Sequence, residues 1–263
     1  LLADRPSDIF ARWADDAGGF LQKVLPDLAA LRGVSQLPAH RDDAFVHTLK
    51  VVDSIEPTPV RRWAALLHDI GKGPTFIEAA DGRSRFFEHD KMGAEMAPEI
   101  MQAVGEAPEL IEPVRRLVGL HMRPISYSPE WTDAAVRRLA EEAQEGRGPD
   151  GWPDLLALSR ADLNGYVPEP IARGLWVLDQ LEQRYESIRE RDELARLGEV
   201  EMAKSPLDGN EIQALTGREP GPWLGELKDY LRMQVEGGNL SREDRDEAAR
   251  LARAWLEQQD THS

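Results

Sequence analysis

Cysteine is absent from the 263-residue sequence. That one absence excludes disulfides, thiolate-ligated zinc and cysteine nucleophiles. Long apolar runs are missing too: none approaches the roughly 20 residues a helix needs to cross a bilayer. No basic segment followed by an apolar one marks the start as a secretory signal, so a cytoplasmic protein without membrane contact is expected. The chain opens on Leu1 rather than methionine, which fits either a trimmed start or a fragment of something longer. Cations are in the minority, with 32 Lys and Arg against 48 Asp and Glu for a net charge of −16. A surface this acidic is not built to hold nucleic acid over a broad face, because such binding needs cations that displace condensed counterions. Local basic patches remain compatible with it, and a solvated acidic surface is the plainest meaning of the charge.

What is present suffices for a packed core: 41% of residues are hydrophobic. The length allows one large domain or two smaller ones. Apolar positions at helical spacing predict two or three short helices over residues 6–32, ending at Gly33. A loop with Pro38, His40 and Asp42 follows, then a helix over 44–55. Pro59 suits the first turn of the next helix, which runs through Trp63 and Leu67 to His68-Asp69 and ends at Gly71. Further helices are expected from His89 to Val104, over 110–121, 131–143 and 154–164, and as one long element over 171–196. The only strands flank Ala80-Asp81-Gly82-Arg83, since Asp-Gly is a strong hairpin signal. Composition shifts at Lys204-Ser-Pro206-Leu-Asp-Gly209, and three short helices are expected over 210–216, 222–235 and 241–258. The class is all-α with one small β-hairpin. A domain over 1–203, whose first 40 residues are a helical lead-in, precedes a helical tail over 204–263.

One stretch organises the chemistry: Trp63-Ala-Ala-Leu-Leu-His68-Asp69-Ile-Gly71-Lys72. It places an imidazole and a carboxylate side by side at the end of an apolar run, and burying charge is expensive unless it is paired or coordinates a metal. The sequence holds six histidines. His47, His68, His89 and His121 each sit in or at the start of a predicted helix beside apolar residues, and Asp69 and Asp162 share that setting. Any one of them alone reads as a hydrogen-bonded core residue, but the set together reads as metal ligands. Imidazole and carboxylate donors suit zinc, iron, nickel, manganese, cobalt or magnesium, and the lack of thiolates argues against a structural zinc site. His40 is at most an outer-site candidate, and His262, one residue from the end, is expected to be inert.

The ordered set His47, His68-Asp69 and Asp162 on successive helices resembles the HD superfamily of metal-dependent phosphohydrolases. His89 and His121 match the extra ligands of its two-metal members. The wording of Phe45-Val-His47-Thr-Leu-Lys-Val-Val-Asp53, Ala65-Leu-Leu-His68-Asp69-Ile-Gly71-Lys72 and Phe86-Phe-Glu-His89-Asp90 is similar to the HD region of bacterial tRNA nucleotidyltransferases, the CCA-adding enzymes. So is the tail, through Pro206-Leu-Asp-Gly209, Gly217 and Pro220-Gly-Pro222-Trp-Leu-Gly225. The likeness runs from about residue 25 onward. It departs from that family in one respect: no stretch supplies the Gly-Ser motif and paired aspartates of the polymerase-like head, since Asp15-Asp16 and Asp42-Asp43 lack that context. CCA addition by this chain is therefore not expected.

The resemblance implies an HD-domain helical bundle with two divalent ions, one held by His47, His68, Asp69 and Asp162, the other by Asp69, His89 and His121. Asp69 would bridge them, and a shared water would be acidified for attack on phosphorus. Lys72 and Arg123 are candidate phosphate contacts, Arg123 for its bidentate geometry. The expected substrates are 2′,3′-cyclic phosphates and 2′- or other phosphomonoesters of nucleotides or RNA ends. Two alternatives stand beside this reading: a phosphatase of free nucleotides unrelated to RNA, and a tRNA- or RNA-binding module derived from a CCA-adding enzyme.

Overall fold

A computed structural model describes residues 1–36, 42–79, 83–165, 168–202 and 205–261, with the backbone alone at 165, 198–202, 260 and 261. The chain is helical, and the described residues hold one two-stranded sheet. It packs as two units, residues 1–188 and 189–263.

The first unit opens with α1 (Pro6–Asp15), α2 (Phe20–Val24) and α3 (Pro26–Ala29). Next comes α4 (Ala44–Ser54), whose first turn is capped by Asp43: its Oδ1 accepts from the Val46 N–H at 2.8 Å. Such a cap satisfies one of the donors that a helix start leaves orphaned. Thr58 does the same for α5 (Pro59–Leu67), with Pro59 in the first turn where its missing N–H costs nothing. Val60 and every residue from Arg62 to Leu67 are buried. A helix apolar nearly all round must be surrounded by others, and α5 packs against α4, α7 (Pro108–Leu120) and α9 (Gly151–Asp162). Asp154 pins α9 to this arrangement: it is buried, and its carboxylate takes Arg61 Nε at 2.6 Å and Arg147 Nε at 2.9 Å.

After α5 the chain makes a short 3-10 turn at Ile70–Lys72 and the hairpin β1 (Phe76–Glu78) and β2 (Ser84–Phe86). The strands are antiparallel, with Phe76 opposite Phe86 and Ile77 opposite Arg85. The predicted Asp81-Gly82 turn lies outside the described residues. Glu88 then adopts a left-handed conformation, φ 56°, just before α6 (His89–Ala103). α6 packs along α7 and against the 3-10 turn.

Gly71 explains that second contact. The sequence suggests a tight turn there, but the backbone follows an ordinary 3-10 path, and Gly71 is not among the positive-φ glycines. The missing side chain instead makes room: a Cβ would overlap the His89 carbonyl oxygen and lie 2.7 Å from the Gly93 N. The start of α6 can therefore reach the residues that follow α5.

α8 (Asp133–Gln144) precedes α9, and α10 (Pro168–Met202) runs for 35 residues. The composition shift marks where the helical run breaks; the change of packing unit comes earlier, inside α10. The second unit carries α11 (Gly209–Thr216), α12 (Pro222–Glu236) and α13 (Arg245–Thr261) around Ile212, Leu227, Leu231, Leu240, Ala248 and Ala252. α13 starts four residues later than the pattern suggests, because Asp244 caps it by accepting from the Glu247 N–H.

Candidate metal centre

The first unit brings the six predicted ligands to one place. α4 carries His47, and α5 ends at Leu67 so that His68 and Asp69 follow the last turn. Side chains one apart on a helix diverge by about 100°. Leaving the helix at Asp69 (φ −103°, ψ 5°) removes that conflict. α6 opens on His89, His121 follows the end of α7, and Asp162 closes α9.

Asp69 is the centre. Its Oδ2 lies 3.3 Å from His68 Nε2 and 3.7 Å from His47 Nε2. Its Oδ1 faces the other way, 3.4 Å from His89 Nε2 and 4.0 Å from His121 Nε2. Two trios result, His47–His68–Asp69 and Asp69–His89–His121, in each of which all ligand atoms lie within 4.8 Å of one another. Asp162 joins the first, with Oδ1 2.8 Å from His47 Nε2 and 3.3 Å from His68 Nε2.

The ring orientations follow from local hydrogen bonds. His68, His89 and His121 each donate from Nδ1 to the carbonyl three residues earlier: Ala65 at 2.8 Å, Phe86 at 3.0 Å and Val118 at 2.7 Å. A proton fixed on Nδ1 leaves the Nε2 lone pair of a neutral ring pointing inward, the arrangement by which outer hydrogen bonds prepare histidine ligands. Nε2 of His89 and of His121 are buried without a hydrogen-bond partner among the described residues. Buried polar atoms are normally satisfied; two orphaned imidazole nitrogens facing a carboxylate fit a divalent cation.

The charges agree with that fit. Burial pushes the Asp69 carboxyl upward, but His68 and Lys72 outweigh it and hold it well below the usual carboxylate range. Burial works the same way on Asp162, and hydrogen bonds from His47 and His68 likewise win. Burial lowers His68, yet Asp69 and Asp162 together raise it to about 10. His121 goes the other way, lowered to about 4 by burial and by the charge on His68. Anionic carboxylates and a neutral His121 suit a cation, whereas His68 would have to give up a proton to ligate one.

The two predicted phosphate contacts stand differently. Lys72 is buried, with Nζ 2.6 Å from Asp69 Oδ2, 2.6 Å from Gln36 Oε1 and 5.5 Å from the centre of the Phe86 ring. Arg123 is not brought into the cluster: it follows His121, and its guanidinium pairs with Glu142. Gln36 is a partner that the sequence does not announce, since a lone amide in a polar segment has no motif. His40 and His262 lie outside the described residues. Beside the centre is a cavity of about 330 Å³ lined by His121, Asp162, Met122, Ile125, Tyr127 and Arg173, among others. No helix among the described residues is long and apolar enough to cross a membrane.

Residues 59–152 match the HD domain family. That span includes His68, Asp69, His89 and His121; His47 and Asp162 fall outside it. The chain is 32% identical over 251 residues to the A-adding tRNA nucleotidyltransferase of Deinococcus radiodurans, covering 92% of this chain and 54% of that protein. It is 33% identical over 245 residues to the CC-adding tRNA nucleotidyltransferase of Thermus thermophilus, covering 90% of this chain and 50% of that protein. A multifunctional CCA protein of Polaromonas naphthalenivorans is 32% identical over 171 residues, 63% of this chain and 39% of that protein. The chain thus spans about half the length of the first two relatives and less of the third.

Proposed function

Because this chain carries an HD domain related to that of the CCA-adding enzymes, we propose that it is a metal-dependent phosphohydrolase acting on 2′,3′-cyclic phosphates and 2′- or other phosphomonoesters of nucleotides or RNA ends. The observation that carries the reading is the division of Asp69 between two imidazole sets, Oδ2 toward His47 and His68, Oδ1 toward His89 and His121. Asp162 completes the first set. Held there, two divalent ions would supply Lewis-acid stabilisation of phosphoryl charge and lower the pKa of a water.

The protein's own residues then have distinct tasks. The Nδ1 donations of His68, His89 and His121 to backbone carbonyls lock their rings, so little reorganisation remains when a cation enters. Lys72 holds Oδ2 of Asp69 from the side of Gln36; its first task is to orient the shared carboxylate, and a phosphate contact would be added to it. Arg123 would have to leave Glu142 to meet a phosphate, which makes it the weaker of the two.

The test is hydrolysis of 2′,3′-cyclic, 2′-, 3′- and 5′-monophosphates by the purified chain with Mn²⁺, Co²⁺, Ni²⁺, Mg²⁺ or Zn²⁺. Metal-dependent turnover of the cyclic and 2′ compounds is the expected result. Preference for 5′-monophosphates would favour a free-nucleotide phosphatase, and no turnover with any pair would reject the hydrolase. A second reading has its own support, since the similarity to proteins named for tRNA runs through 92% of the chain. It holds that the chain binds tRNA, and filter binding of labelled tRNA decides it independently.

A further inference from the structure

We propose that Arg173 is the residue that grips the substrate's phosphate, and that the cavity it lines receives the nucleoside of a single nucleotide. The proposal rests on the hydrolase reading above and extends it to the substrate's place. His121 and Asp162, one from each ligand set, form part of the cavity wall, so a molecule inside it lies next to both sets. The volume of about 330 Å³ falls at the small-ligand end of the usual range. Met122, Ile125, Tyr127 and Val177 supply an apolar and aromatic lining suited to a base.

Arg173 is the guanidinium on that lining. Arg160 and Arg123, which flank the ligands Asp162 and His121 in sequence, are already engaged: Arg160 binds Asp179 and Glu182, and Arg123 binds Glu142. Arg173 makes no ion pair or hydrogen bond among the described residues, although the chain has 48 acidic residues. An unpaired planar fork of donors beside a cavity matches a phosphate dianion, which it can bind through two parallel hydrogen bonds. Arg173 is exposed, and the backbone next to it is closely packed. Gly174, the next residue, faces Leu163 so closely that a Cβ would lie 2.6 Å from Leu163 Cδ2 and 3.1 Å from Ile125 Cδ1. This contact seats the first turns of α10 against the segment that follows Asp162.

The experiment is calorimetric titration of the Mn²⁺-loaded chain with a 2′-phosphonate analogue of adenosine 2′-monophosphate, whose P–C bond resists hydrolysis, and with adenosine, in wild type, Arg173→Ala and Arg173→Lys. Metal content and the kinetics of each variant are measured alongside. Arg173→Ala should weaken the analogue by about 10- to 100-fold, the loss of a hydrogen bond to a charged group, and raise KM more than it lowers kcat. Adenosine affinity and metal content should not move, and Arg173→Lys should recover part of the loss. Unchanged analogue affinity in Arg173→Ala, or an equal loss for adenosine, would overturn the proposal. A wild type that binds the analogue but hydrolyses nothing in the phosphate panel would reject the hydrolase while leaving the Arg173 contact measurable.

Discussion

Lys72 Nζ lies 2.6 Å from Asp69 Oδ2, with both side chains buried. A lysine after a His-Asp pair invites the thought of a hand held out to substrate; here its charge is turned inward on the shared carboxylate. Removing one member of a buried pair leaves the other uncompensated, at about 3–5 kcal/mol. Lys72→Ala should lower the stability of the metal-free chain by less than that, read from its urea midpoint, because the protonated His68 still faces Asp69 Oδ2. Gln36→Ala should cost about 1 kcal/mol, the value of one hydrogen bond. A Lys72→Ala protein as stable as wild type would show that Asp69 does not depend on this cation.

If Asp69 is shared, the ligand variants should differ in stoichiometry. After dialysis and elemental analysis, His121→Ala and His89→Ala should retain about one metal equivalent of the two proposed, and Asp69→Ala close to none. Asp69→Ala should also abolish hydrolysis while its far-ultraviolet circular dichroism stays near that of wild type. Asp69→Ala retaining both equivalents would rule out the bridge.

Much of this site was legible in the sequence because its ligands fall at helix ends that the sequence itself marks. Pro59 begins α5 and the apolar run to Leu67 fills it, so His68 and Asp69 had to sit at its C-terminal edge; His121 stands at the same edge of α7, and His89 opens α6. What stayed hidden depends on distant partners. Glu142 takes Arg123 across 19 residues of chain, and Gln36 meets Lys72 across 36. Arg173 sits on a helix whose charged positions all look alike until one of them is seen to line a cavity. The role of Gly71 is hidden for a similar reason: the crowding comes from α6, and no turn pattern records it.

That crowding gives a third prediction. In Gly71→Ala the new methyl must displace the His89 carbonyl, and with it the start of α6. Overpacking of this kind costs about 1–3 kcal/mol, so the protein should still fold. His89 should nevertheless move away from Asp69 Oδ1, and displacement of about 1 Å in such a site can cost about 100-fold in rate. The expected phenotype is a folded protein with metal retained in the His47 set, weakened in the His89 set, and turnover down by about that factor. Normal kinetics would mean that α6 can shift without taking His89 with it.

The last prediction concerns protons. His68 is raised to about 10 by Asp69 and Asp162 against its burial, so without metal it stays protonated throughout pH 6–8. His121, lowered to about 4, is neutral over the same range. A cation binding at Nε2 of His68 must displace the proton there, whereas at His121 it displaces none. Metal and proton therefore compete, and affinity rises with pH because fewer protons oppose the ion. With one proton released per ion, affinity for the His68 set should increase about tenfold per pH unit between 6 and 8, while the His89–His121 set changes less. Competition against a chelator of known pH dependence measures the slope, and titrations in buffers of different ionisation enthalpy count the protons. A flat or falling affinity would mean that His68 is already neutral and that the two carboxylates do not hold its proton.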